Sequence, residues 1–168
     1  KIVSRFEEIG FKVAGMKMVW AGDELAGTHY KLDEEWAKKV FERTKKTKEE
    51  QGKPFPYTDH MEFGQDIRQR NINFLKEGPV VAIVFEGAHA VELGRKIIGH
   101  TEPRQALPGT IRGDFASMES YDTGDKNKRT LRNLVHASDT PENAEHEIAI
   151  WFKEDELHSY PKELDKHF

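Results

Sequence analysis

His136 is the residue on which chemistry is most readily built. It stands in the apolar stretch Asn133-Leu134-Val135-His136-Ala137, followed at once by Ser138, Asp139 and a helix start at Thr140-Pro141. A side chain there lies beside unsatisfied backbone N–H groups and the positive end of a helix, which suits an anion. Taken alone, a histidine in such a setting is more often a hydrogen-bonded core residue. Its companions change the balance. Arg112 lies between Gly109 and Gly113, where backbone and guanidinium can both approach a ligand. Arg95 and Thr101 lie upstream, at a helix end and in a loop. Two guanidinium groups and a hydroxyl are the parts a polyphosphate site needs. The other histidines show no HExxH pair or other zinc spacing. No GxxxxGK[ST], GxGxxG or GxSxG pattern is present.

The elements that must position these residues follow from periodicity. Residues 1–9 place Ile2, Val3, Phe6 and Ile9 at helical spacing, with Gly10 as the stop. Residues 11–20 alternate, with a parity shift near Gly15 that predicts a strand carrying a bulge. Asp23 is the expected N-cap of a short helix over 24–31. Residues 32–52 carry only a thin apolar stripe (Leu32, Trp36, Val40, Phe41), which predicts a solvated helix projecting from the body. Lys53-Pro54-Phe55-Pro56 ends it. A further helix is expected over 61–76. Val80–Phe85 reads as a strand buried on both faces, and 88–98 as a helix closed by Gly99. Residues 100–117 should be an ordered loop and 118–132 a polar stretch that is either a flexible excursion or an insertion. Residues 133–137 read as a short strand. Thr140 and Pro141 open a helix reaching Trp151 and Phe152, and 153–168 form a charged tail. This order is a β-α-β-β-α-β pattern whose first strand is missing, with an antiparallel or mixed sheet and helices on one face.

Composition bounds the function. The chain has 168 residues, 36% apolar and 33% charged, a size that suits one compact domain. It has no cysteine, which excludes disulfide scaffolds, thiolate zinc sites and cysteine nucleophiles. A net charge of −4 disfavours a globally basic nucleic-acid binder. No apolar run approaches the ~18 residues of a membrane span. Lys1 opens the chain inside what reads as a helix, so a natural segment is expected to precede it. With neither signal peptide nor cysteine, a cytoplasmic location is the default expectation.

Asn133-Leu-Val-His136-Ala-Ser138-Asp139 closely resembles the N-x-x-H-G-S-D signature of nucleoside diphosphate kinases. Further segments match in the same order: residues 5–15, 78–87, 95–99, 101–103, Pro108-Gly-Thr-Ile-Arg-Gly-Asp-Phe115 and 144–152. The resemblance covers most of the chain. It implies an α+β fold, the ferredoxin-like β-α-β-β-α-β sandwich of antiparallel sheet and helices. Here the first strand is absent and extra helices are inserted. It also implies a single domain over 1–168, with insertions at about 31–60 (helical) and 117–131 (loop). The implied activity is transfer of the terminal phosphoryl group from a nucleoside triphosphate to a nucleoside diphosphate, with Mg²⁺, by a ping-pong route through phospho-His136. An imidazole that is largely unprotonated near neutral pH suits that role.

By match, Arg95, Thr101 and Arg112 contact phosphate and Asn133 bonds the ribose 3′-hydroxyl. Tyr30 is the active-site tyrosine, and Ser138 and Glu147 orient the histidine. Phe55 matches the aromatic that stacks on the base, and stacking tolerates any base. The family's phosphate-binding K-P-D segment has no counterpart, since Lys53-Pro54-Phe55 is a different site. Ala137 replaces the signature glycine. Mg²⁺ is expected on the nucleotide phosphates, with no dedicated protein metal site. Partners are nucleoside triphosphates and diphosphates and further copies of the chain, a hexamer or tetramer built from dimers, with no membrane. The alternative is a non-catalytic nucleotide-binding or interaction module derived from the family, which would be expected to have lost His136 or an arginine first. Nucleic-acid binding through Lys38-Lys39, Arg43–Lys48 and Arg68–Arg70 is disfavoured, because those stretches are interleaved with acids.

Overall fold

The structure, a computed structural model, describes residues 1–161; the end of the charged tail, with His167, lies outside the described residues. The described chain divides into two compact units, one formed by residues 1–20 with 79–161 and the other by residues 21–78.

In the first unit, α1 (Ile2–Glu7) leads through Gly10, at φ 96°, into β1 (Lys12–Val19). β2 (Val80–Glu86) pairs antiparallel with β1. The register passes from Val13↔Phe85 to Gly15↔Val84, so Ala14 is the extra residue of the expected bulge. The bulge serves the tail: the Ala14 carbonyl accepts from the His158 amide at 2.7 Å. Gly15 eases this approach, because a Cβ would lie 3.0 Å from the Glu156 carbonyl oxygen and force a small shift. The tail is therefore packed on β1, with Lys17 paired to Glu156 and the Tyr160 hydroxyl donating to the Val13 carbonyl.

Alternation along β2 feeds two cores. Phe85 stacks on Phe6 at 4.2 Å between centroids, beside Phe11, Ile98 and Ile111. Val84 and Ala82 turn to the opposite face, where Ala14, Ile148, Trp151, Phe152 and Leu157 close over them. Helices thus cover both faces rather than the single face expected. α5 (Ala90–Ile98) and α1 lie on one, and the end of α8 (Pro141–Trp151) lies on the other. Each buried phenylalanine of these cores stabilises the unit by about 2 kcal/mol. β2 is not buried throughout, since Val81 is 57% exposed opposite Met18 at 73%.

Three further expectations are corrected in this unit. Residues 100–117 are not only loop: a 3-10 turn spans Pro103–Gln105 and α6 spans Ile111–Phe115, capped by the Thr110 hydroxyl. Residues 118–132 are not a flexible excursion, because α7 (Tyr121–Lys126) forms there, capped by Ser120. Residues 133–137 are not a strand, and among the described residues the sheet has two strands. Leu134 sits at φ 65°, which takes it out of any ladder.

The second unit holds α2 (Asp23–His29), α3 (Glu34–Glu50) and α4 (His60–Leu75). Asp23 is not the cap of α2. Gly22 occupies that position, and the Asp23 carboxylate pairs with Lys76 instead. α3 does not project freely; it packs on α4. Gly64 makes the close approach possible, since a Cβ would meet the Ala37 Cβ at 2.8 Å. Beside this contact, Phe41, Phe55, Tyr57 and Phe63 meet edge to face or tilted, with centroids 4.9 to 6.1 Å apart. The Tyr57 hydroxyl donates to Asp66 at 2.6 Å, and Asp66 pairs with Arg70.

Candidate active site

The stretch bearing His136 is irregular backbone held by side chains. Val135 and Ala137 point into the first core, which turns the intervening His136 outward to 52% side-chain exposure. Alternation persists although no strand forms. The carbonyls that a strand would have paired are taken by Arg112. Its guanidinium donates to the Asn133 carbonyl at 3.2 Å, to Val135 at 2.5 Å and to Gly99 at 3.0 Å. Three N–H groups satisfy three backbone acceptors, and two of the five guanidinium donors remain. Burial, with the positive charge of Arg95 adding, lowers the Arg112 pKa to about 10. The group is still charged near neutral pH, and the opposite charge of a bound anion would offset both effects.

His136 Nε2 lies 3.0 and 3.2 Å from the two oxygens of Glu147, on the second turn of α8. The Ser138 hydroxyl donates to Glu147 Oε2 at 2.6 Å. A carboxylate beside Nε2 selects the tautomer protonated there. That tautomer carries its lone pair on Nδ1, which is the nucleophilic position. α8 itself is set by the expected cap: the Thr140 hydroxyl accepts from the Asn143 amide at 3.1 Å, with Pro141 at the first helical position. The Asp139 carboxyl is held below its ordinary value, chiefly by the Asn143 side-chain amide at 2.6 Å, with the charge of Arg95 contributing.

Arg95 lies in the last turn of α5. Thr101 is exposed in the following loop, and its carbonyl accepts from Asn133 Nδ2 at 3.2 Å. Asn133, Thr101, Arg112, Arg95, His136, Ser138 and Glu147 therefore belong to one unit, and the first three are joined by hydrogen bonds. Tyr30 and Phe55 belong to the other. Tyr30 ends α2, where its carbonyl accepts from Arg68 Nε at 2.6 Å. Phe55 is half-buried among its three aromatic neighbours, and none of them stacks parallel to it.

Sequence reasoning missed the residues that hold the site's loops. Arg5 pairs with Asp114 at 3.1 Å and donates to the Gly109 carbonyl, fixing the turn before α6. Glu102 is buried beside Thr101. The available signal was an acid placed directly before Pro103, in a segment already singled out for its threonine.

The family model described as nucleoside diphosphate kinase matches residues 1–157. The nucleoside diphosphate kinase of Pyrobaculum aerophilum is 40% identical over 94% of this chain and 87% of its own length. That of Pyrococcus furiosus is 39% identical over 98% and 80%. Among solved structures, an NDP kinase from Pyrobaculum aerophilum superposes with a TM-score of 0.88 at 38% identity, covering 94% of this chain and 88% of that one. The Borrelia burgdorferi nucleoside-diphosphate kinase, solved with vanadate and ADP as a transition-state mimic, gives 0.77 at 31% identity, covering 99% and 84%.

Proposed function

This chain belongs to the nucleoside diphosphate kinase family and is a nucleoside diphosphate kinase, and from that premise we propose that phosphoryl transfer runs through His136. The observation that carries the reading is the Ser138–Glu147–His136 chain of hydrogen bonds. In the first half-reaction, Nδ1 of His136 attacks the γ-phosphorus of the nucleoside triphosphate. The N–P bond forms as the bond to the β–γ bridging oxygen breaks, and the diphosphate leaves with that oxygen. Glu147 takes up the charge developing on the imidazole through Nε2–H. In the second half, a terminal oxygen of the acceptor diphosphate attacks the phosphohistidine and the N–P bond breaks. Little covalent work is left to the protein, so positioning and charge stabilisation dominate.

Arg112 offers its two remaining donors to phosphate from a guanidinium already fixed by three carbonyls. Its orientation is therefore set before the ligand arrives. Arg95 and Thr101 supply a second cation and a hydroxyl, and Asn133 binds the ribose 3′-hydroxyl. The family match alone is what supports Tyr30 as active-site tyrosine and Phe55 as the base-stacking ring.

Mg²⁺ is the metal we assign. The family match supports it, and Mg²⁺ is commonly held by substrate phosphates and waters rather than by an all-protein cage. Bound there, the ion would neutralise phosphate charge. Assembly into a homo-oligomer is supported by the apolar sheet end formed by Met16, Met18 and Val81, all more than half exposed on one face.

Intact mass after incubation with Mg·ATP tests the reading. A gain of one phosphoryl group (roughly 80 Da) is expected, lost on adding a diphosphate and absent from His136→Ala or in excess EDTA. A folded wild-type protein that turns over nucleotide with no labelled His136 would overturn it.

A further inference from the structure

We propose that Glu102 is a positioning residue, and that through it the segment 117–131 braces the loop bearing Thr101 and, through the Thr101 carbonyl, Asn133. The inference rests on the reading of those two residues as nucleotide contacts. Glu102 is 3% exposed, which a carboxylate tolerates only when its oxygens are satisfied. Oε1 accepts from the backbone N–H of Tyr121 at 3.1 Å, the first residue of α7, and faces Arg104 Nε at 3.6 Å. Oε2 accepts from the Gln105 side-chain amide. The Glu102 amide in turn donates to His100 Nδ1 at 3.1 Å. One carboxylate therefore joins the N-terminus of α7 to the 3-10 turn that follows Thr101, where a negative charge is favourable.

Two further links make the brace rigid. The Arg104 amide donates to the Glu119 carbonyl at 3.0 Å, and Arg129 pairs with the Glu119 carboxylate at 2.9 Å. The segment is thus closed on itself at both ends and tied to the loop twice. On the loop's other side, the Thr101 carbonyl holds Asn133 and the Gly99 carbonyl holds Arg112. The loop is clamped between the segment and the site. Loosening the segment's side should let Thr101 and Asn133 drift, without touching the Ser138–Glu147–His136 chain.

The contact can be cut from either end. Glu102→Ala removes the carboxylate. Tyr121→Pro removes the N–H together with the ring, at the first helical position where proline is tolerated, after a Ser120 already in extended conformation. Tyr121→Ala keeps the N–H and controls for loss of the ring. Glu102→Gln keeps an acceptor for Tyr121. We expect Glu102→Ala and Tyr121→Pro each to raise the nucleotide KM about tenfold with a smaller change in kcat. Tyr121→Ala and Glu102→Gln should stay near wild type, and the double variant should be no worse than the singles. Phosphorylation of His136 by phosphoramidate, a donor without a nucleoside, should proceed at the wild-type rate in all of them. An unchanged KM in Tyr121→Pro, or equal loss of ATP and phosphoramidate labelling in the folded variants, overturns the proposal. Failure of His136 to label in the wild type would instead strike the reading it rests on.

Discussion

The helical unit of residues 21–78 and the His136 stretch are built on opposite principles. Residues 21–78 use regular helices, side-chain caps at Asp33 and Asp59, and an apolar interior. There the close approach at Gly64 and the aromatic group around Phe63 do the holding. Residues 131–140 have no regular structure, one left-handed residue at Leu134, and backbone carbonyls bonded by a distant arginine. The helical unit tolerates local variation, because hydrophobic contact is non-directional. The site does not, because each hydrogen bond there fixes a position. Orienting one half-exposed imidazole needs directional bonds, and directional bonds are easiest to place where the backbone has no ladder to complete.

If that contrast is right, damage to the site should separate chemistry from stability. The largest effect belongs to His136→Ala. The side chain is 52% exposed, so the variant should melt within about 2 °C of wild type. Its kinase turnover should fall by about a thousandfold or more. A matching loss of melting temperature would show the histidine to be structural. Arg112→Lys comes next and should damage both properties. An ammonium cannot reach three carbonyls in a fixed plane, so about 2–4 kcal/mol of stability should be lost in urea titration, together with most activity. Wild-type stability in that variant would break the claim that side chains hold this backbone.

How far the sequence could be read follows the same division. The bulge at Ala14, the Gly10 and Gly99 stops and the Thr140-Pro141 cap are local signals, and each was legible because its cause lies within a few residues. The strand expected at 133–137 failed because its carbonyls are claimed by Arg112, some twenty residues upstream. Nothing local announces that. Facing alternates there nonetheless, since Val135 and Ala137 pack inward and His136 is half exposed. α3 looked solvated because Ala37 and Gly64, the residues that allow it to pack, carry almost no hydrophobic signal. The polar stretch 118–132 looked mobile for a related reason: its order comes from Ser120, Glu102 and Arg129, and composition scores such residues as solvent-seeking. The candidate site residues could be singled out from their types and order. The hydrogen bonds that join them could not.

The remaining tests sharpen the contrast with smaller effects. Gly64→Val should force Ala37 away from α4 and cost the helical unit about 1–3 kcal/mol. Hydrogen exchange should localise that loss to 21–78. Exchange rising instead around 131–140 would show the two regions to be one cooperative structure. Leu134→Gly should have the opposite sign. The side chain is 53% exposed, so little burial is lost, while relief of the left-handed conformation should raise stability by about 0.5–1 kcal/mol in urea. A clear destabilisation would mean that the leucine itself packs the site.

The smallest effect tests whether the first turn of α8 is fixed by charge. Asp139 has a folded-state pKa below its ordinary value because the Asn143 amide bonds its ionised form. That stabilisation is fully present above the unfolded-state pKa and is lost as pH falls through the depressed one. Asn143→Ala keeps the backbone N–H that Thr140 caps and removes only the amide. The variant should be less stable than wild type by under about 1 kcal/mol near neutral pH, since the pair is largely solvated. The difference should vanish once pH lies below the depressed pKa, where Asp139 is protonated in both proteins. A gap that persists in acid would mean that Asn143 acts by packing or helix propensity. The Asp139–Asn143 bond would then have no part in fixing the turn that presents Glu147 to His136.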